Sequence, residues 1–119
     1  MKLNIISIQN HGNASTEYVS FSAGEDCDLK YYIISDSTFN ANNTLSNTFR
    51  HTYWWAPQSI KKGDVVVLYT RKGQNSISKL QGGNTAYNYY WGSDHAIWND
   101  EGDTAVLFEL NTWQIKKAK

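Results

Sequence analysis

The chain opens on an apolar run at residues 3–8 (LNIISI) and then alternates short apolar and polar stretches to its end. No window keeps the three-and-four spacing of an amphipathic helix over ten residues. Residues 17–21 alternate cleanly, with Val19 and Phe21 on one face and Tyr18 and Ser20 on the other. In the first run, Ile6 and Ile8 are expected to face the same way. Residues 30–35 (KYYIIS) are apolar on both faces, as in a strand buried on two sides or edged by aromatics. Residues 48–55 form an aromatic-rich strand that stops before Pro57, and residues 64–70 (DVVVLYT) carry the strongest β signal. Strands at 86–91, 104–110 and 113–118 complete the expected set. The predicted core is Val19, Phe21, Ile34, Val65, Val67, Val106 and Phe108.

Turn chemistry separates these runs. Lys62-Gly63-Asp64, Lys72-Gly73 and Gly82-Gly83-Asn84 supply glycines that tolerate positive φ, and residues 40–47 (NANNTLSN) read as an exposed polar loop. Short strands, close turns and the lack of helical periodicity predict an all-β fold. The expectation is an antiparallel sandwich of about seven to nine strands with at most one helical turn. No linker or repeat divides residues 1–119, so a single domain is expected.

Charge narrows the partners. Eleven basic and eleven acidic residues cancel to a formal net charge of +0, whereas nucleic-acid binders depend on a basic excess for phosphate contacts. The single cysteine, Cys27, excludes an intramolecular disulfide and a zinc site built from several thiolates. The first apolar run is too short for a signal sequence and far too short to span a bilayer. With Met1 as the natural start, the chain is expected to stay in the cytosol. An exported mature form would read the same.

Three constellations invite a chemical reading. Asp100-Glu101-Gly102-Asp103 gathers acidic residues, but a calcium loop begun at Asp94 or Asp100 would place Ala105 or Asn111 where the bidentate glutamate belongs. A hairpin turn over residues 99–103, with Trp98 ending one strand and Gly102 at positive φ, accounts for it better. Asp94-His95 resembles a carboxylate orienting an imidazole, yet adjacent residues on a strand point to opposite faces. His11, His51 and His95 are scattered singly, and Cys27 lies in a polar stretch without a nucleophile motif. Neither a metal, a cofactor nor a catalytic activity is expected.

Aromatics make up 14% of the residues, and two strands hold many of them: Tyr53-Trp54-Trp55 and Tyr89-Tyr90-Trp91. Alternation sends Trp54 and Trp55 to opposite faces, and likewise Tyr90 and Trp91. One member of each pair can enter the core, leaving the other for solvent, a loop or a partner. These six residues are the candidate contact surface. A protein partner, either tethered or occluded, is the leading reading, a sugar ring stacked on tryptophan is the alternative, and unpaired bases are disfavoured by the charge balance. A homo-oligomer is compatible with the same surface.

Three segments resemble a known family. EYVSF (17–21) followed by CDLKYYIISD (27–36), then IKKGDVVV (60–67), then YWG (90–92) with AIWNDEGDTAVL (96–107), occur in the order and spacing of a lamin tail domain. Lys30 and Tyr32 depart from that pattern, and the stretch between residues 40 and 55 is longer and more aromatic. The resemblance implies an immunoglobulin-like sandwich used for binding or tethering, without catalytic activity of its own.

Overall fold

Alternating apolar positions become two layers of sheet with the core between them. The computed structural model describes residues 1–38, 42, 44–46, 49–99 and 102–119. Its strands are β1 (Leu3–Gln9), β2 (Tyr18–Ala23), β3 (Cys27–Asp28), β4 (Tyr32–Thr38), β5 (Thr52–Trp54), β6 (Ser59–Ile60), β7 (Val65–Tyr69), β8 (Ser76–Lys79), β9 (Thr85–Tyr90) and β10 (Asp103–Glu109). One layer is a five-stranded sheet in the order β1-β2-β7-β9-β8. The other is a three-stranded sheet, β10-β4-β5, and the short pair β3-β6 stands beside them. The all-β class is as expected, and the helical content is one 3-10 turn at Leu29–Tyr31. That turn begins where it does because the Asp28 carboxylate accepts from the amides of Lys30 (2.9 Å) and Gln58 (3.1 Å). It therefore delays the strand expected from residue 30 until Tyr32.

One pairing departs from an antiparallel sheet. β7 and β9 run parallel because β8 takes the outer edge first and β9 then returns between them. The connection over residues 70–75 must cross the end of β9, and Gly73 is required there. A Cβ at this position would lie 2.5 Å from the Tyr90 ring. Gly63, Gly82 and Gly83 do sit at positive φ, as their turns require. β3, β6 and β8 were not legible as strands. The first two have two residues each, and β8 (SISK) is exposed throughout.

Burial corrects the predicted core in two strands. Val19, Phe21 and Ile34 are fully buried. In β7, however, Val66 and Leu68 point inward while Val65 and Val67 lie on the outer side. In β10, Leu107 and Ala105 pack on the core and Phe108 is 36% exposed. Both strands are apolar at both parities, so alternation alone cannot choose a face. Polar anchors choose it for β7. Asp64 accepts from the amides of Lys61 (2.8 Å) and Thr85 (2.9 Å), while the Thr70 hydroxyl donates to the buried Glu17. Residues 64, 66, 68 and 70 are thus all buried. In β1 a register shift between Ile5 and Ser7 turns Ile6 outward, 57% exposed, and leaves Ile5 and Ile8 against the core.

Glu17 closes one end of the molecule. Its carboxylate is fully buried and accepts from the amides of Gly12 (3.0 Å), Ile97 (2.8 Å) and Trp98 (3.3 Å). This clamp holds residues 91–99 as an irregular segment, so Trp98 does not end a strand and the two flanking strands belong to different sheets. Residues 100 and 101 of the predicted hairpin lie outside the described residues. Gly102 does adopt positive φ (89°). Of the predicted loop at 40–47, residues 40, 41, 43 and 47 lie outside the described residues, as does residue 48 of the predicted strand 48–55. Residues 113–118 form no strand. The last backbone bond of that region runs from the Leu110 amide to the Tyr31 carbonyl (2.7 Å), and Trp113 then packs by its ring.

Candidate functional site

The six aromatic residues singled out in the sequence do not form one surface. Tyr53, Trp55, Tyr89 and Trp91 converge between the two main sheets. Tyr53 meets Trp55, Tyr89 and Trp91 with ring centroids 5.5, 6.4 and 5.9 Å apart, and Trp91 reaches Trp98 at 6.1 Å. Trp55 is 2% exposed and also meets the Phe21 ring at 5.2 Å. Burial pushes the Tyr53 phenol up, and it raises that of Tyr89 to about 12. Trp55 belongs to the core and is out of a partner's reach in this fold, while Tyr53, Tyr89 and Trp91 are partly buried and pack against it.

Tyr90 takes the outer face of the five-stranded sheet and is covered there. It stacks on Tyr69 at 5.0 Å and 15°, and the Arg71 guanidinium lies 5.0 Å from its ring centroid and 5.3 Å from that of Tyr69. The backbone at Gly73 presses on the same ring.

Trp54 is different. It sits on β5, paired with Ile33 of β4, so its ring projects from the outer face of the three-stranded sheet and is 45% exposed. Its indole N–H donates to the Lys30 carbonyl at 2.7 Å, which fixes the ring's orientation. Other half-exposed rings stand on or beside the same face. Trp113 meets Trp54 at 5.2 Å and Tyr31 at 5.7 Å, and Phe49 meets Phe108 at 5.6 Å. Each of these five rings is between 36% and 45% exposed. Alternation predicts Phe108 inward and Trp113 within a strand, so the pattern of the sequence puts neither on this face.

Two other places concentrate polar chemistry. A cleft of about 380 Å³ is lined by Lys2, Cys27, Asp28, Tyr31, Tyr32, Glu109 and Leu110. Within it the Tyr32 hydroxyl donates to the Glu109 carboxylate at 2.5 Å, and this bond holds Glu109 below the usual carboxylate range. Burial, followed by the bond to Glu109, pushes the Tyr32 phenol well above its ordinary value. Burial also pushes the Cys27 thiol up, which keeps it protonated and a poor nucleophile at neutral pH.

The second place is an Asp–His contact. His51 Nδ1 lies 3.1 Å from the buried Asp36 carboxylate, which also accepts from the amides of Arg50 and His51. The ring leans edge-on against Trp91 at 6.4 Å. No hydroxyl or thiol hydrogen-bonds to the His51 ring among the described residues, so the pair anchors the chain entering β5. Fifteen residues separate the partners, and no spacing rule would have joined them. The adjacent Asp94 and His95 do not pair. Asp94 meets Lys72 at 3.2 Å, and Ser93 bonds the His95 backbone. Among the described residues, no three His, Cys, Asp or Glu side chains converge as a metal site, and no helix is long and apolar enough to cross a membrane.

No family model matches this chain, and neither a curated protein nor a solved structure is significantly similar to it.

Proposed function

We propose that this protein is a non-catalytic binding module that docks another protein through the outer face of β10-β4-β5, with Trp54 at its centre. The observation that carries this reading is the group of half-exposed rings, Tyr31, Phe49, Trp54, Phe108 and Trp113, on or beside one sheet face. Solvated aromatics of this size gain most from burial against a partner, and tryptophan and tyrosine are the usual anchors of such contacts. The resemblance to a lamin tail domain supports the same role, since those domains tether and do not catalyse. An immunoglobulin-like arrangement of the strands belongs to this reading.

The chemistry elsewhere favours a binding role over an enzymatic one. The cleft beside Cys27 offers a thiol with a raised pKa, a glutamate bonded to Tyr32 and an aspartate, Asp28, that accepts from the amides of Lys30 and Gln58, which supports binding over nucleophilic or acid–base chemistry there.

The test compares the wild type with Trp54→Ala in affinity capture from the native host, followed by calorimetry with the purified captured protein. The variant is expected to fold normally and to lose at least about 1–2 kcal/mol of binding. Equal capture by both proteins would remove Trp54 from the contact. Selective retention of a glycan in place of a protein would instead favour the carbohydrate reading.

A further inference from the structure

We infer that β8 is a docking edge for a second copy of this chain, and that two copies join their five-stranded sheets by pairing β8 with β8. The strands run antiparallel across a two-fold axis at Ser78. β8 is the outermost strand of its sheet, so the contact uses no residue of β10-β4-β5.

The register of β8 shows which of its backbone groups are free. Just beyond the strand, the Leu80 amide donates to the Asn84 carbonyl at 2.8 Å, in the register that pairs Ser78 with Ala86 and Ser76 with Asn88. Bonded and unbonded pairs alternate along an antiparallel ladder. Ser76 and Ser78 therefore direct their amides and carbonyls at β9, and those of Ile77 and Lys79 point away from it. β9 agrees from its other side: the Trp91 amide donates to the Tyr69 carbonyl, and the Thr85 amide to Asp64. Among the described residues no hydrogen bond reaches the outward groups of Ile77 or Lys79, and residues 71–83 are all exposed.

An edge of this kind is normally guarded by a bulge, a proline or a charge. β1, at the opposite end of the same sheet, is bent by its register shift between Ile5 and Ser7. β8 has no such shift and no proline. Its one charge, Lys79, is turned back into the sheet, where Nζ donates to the Thr85 hydroxyl at 3.2 Å. The edge stays open, and the Ile77 side chain beside it is 64% exposed.

This edge is complementary to itself. With the axis at Ser78, Ile77 stands opposite Lys79 of the second copy, and every outward group of both residues is bonded. An axis at Ile77 would use half of these groups within the strand. An axis at Lys79 would do the same and set lysine against lysine. Ser78 meets its counterpart in the closer, unbonded kind of pair, where two hydroxyls can bond each other. A net charge of +0 raises no long-range repulsion between copies.

Each copy offers four residues, so a dissociation constant of about 10–100 µM is expected, at the weak end for a specific contact. Sedimentation velocity carried above that range should show the mass rising from 13.6 kDa toward twice that value. Ser78→Asp sets two carboxylates against each other across the axis and should weaken the dimer at least about tenfold, with the melting temperature unchanged. On a Cys27→Ser background, Ser78→Cys should be captured as a disulfide dimer under mild oxidation, because the unbonded pair brings the two side chains within reach. Ser76→Cys on that background should stay monomeric. A monomer at every concentration overturns the inference, and so does equal cross-linking through residues 76 and 78. A dimer that survives Ser78→Asp also overturns it, and loss of that dimer in Trp54→Ala would put the contact on the Trp54 face instead.

Discussion

Two groups of aromatic rings lie within one sheet thickness of each other and do opposite things. Inside, Tyr53, Trp55, Tyr89, Trp91 and Trp98 fill the space between the sheets. Outside, Tyr31, Phe49, Trp54, Phe108 and Trp113 stand half in solvent. Trp54 and Trp55 are neighbours in sequence and belong to different groups, with 45% and 2% of their surface exposed. Residue type therefore says little about role at these positions. Parity along the strand says most, and parity is set by what the backbone pairs with.

The inner group comes at a polar cost. The indole N–H groups of Trp55 and Trp98 are buried without an acceptor among the described residues, and such a donor costs about 1–3 kcal/mol. Apolar burial offsets it: the Trp55 ring meets those of Phe21, Tyr53 and Tyr89, and the Trp98 ring meets that of Trp91. The outer group carries no such cost, because Trp54 has its acceptor at the Lys30 carbonyl. The inside trades polar satisfaction for packing, whereas the outside keeps its rings satisfied and accessible.

The comparison can be broken most severely at Trp55. Trp55→Ala should cost about 3–5 kcal/mol, as truncation of buried aromatics does, read as a drop in the chemical denaturation midpoint. A loss below about 1 kcal/mol would mean that the inner cluster is not core.

Glu17 tests how the inner group is held in place. Glu17→Ala leaves the amides of Ile97 and Trp98 and the Thr70 hydroxyl without their buried acceptor. It should cost several kcal/mol, at about 1–3 per abandoned donor. Trp98 fluorescence and hydrogen exchange at Ile97 should report loosening of the 91–99 segment, while the Trp54 signal stays unchanged.

Acid separates the groups by chemistry. Burial raises the Asp64 pKa, but the amides of Lys61 and Thr85 outweigh it and the net shift is downward. A carboxylate depressed in the folded state contributes stability above its unfolded pKa, near 4, and loses that contribution as pH falls through its folded value. Stability should therefore decline below about pH 4, and Asp64→Asn should flatten that limb. An unchanged acid limb in the variant would show that Asp64 does not anchor β7. The outer group contains no titrating carboxylate and should add nothing to this dependence.

The smallest effects belong outside. Phe108→Ala should cost about 1 kcal/mol, in contrast to the ~3–5 kcal/mol that a fully buried phenylalanine would lose. Trp54→Ala should change stability by less than about 0.5 kcal/mol. Thermal melts of the two variants beside Trp55→Ala would rank the three positions. A Trp54 variant as damaged as Trp55 would merge the two groups and leave no surface for a partner.

What the sequence by itself determined is the all-β class, the longer strands from β1 to β10, most of the turns and the inward row of β2. There apolar and polar positions alternate without ambiguity, as at Val19 and Phe21. It also held the disagreement between Trp54 and Trp55, because adjacent residues on a strand must part. What only the tertiary structure decided is which parity faces inward in β7 and β10, where both faces are apolar. At one end of β7 Thr70 donates to the Glu17 carboxylate, and at the other the Asp64 carboxylate accepts from the Thr85 amide of β9; these contacts between residues distant in sequence fix the inward row there. In β10 the antiparallel pairing with β4 places Leu107 opposite Ile34 and sends Phe108 out opposite Ile33. The surface proposed for binding exists because of that choice. A period of two can mark a strand, but it cannot say which side of it will meet water.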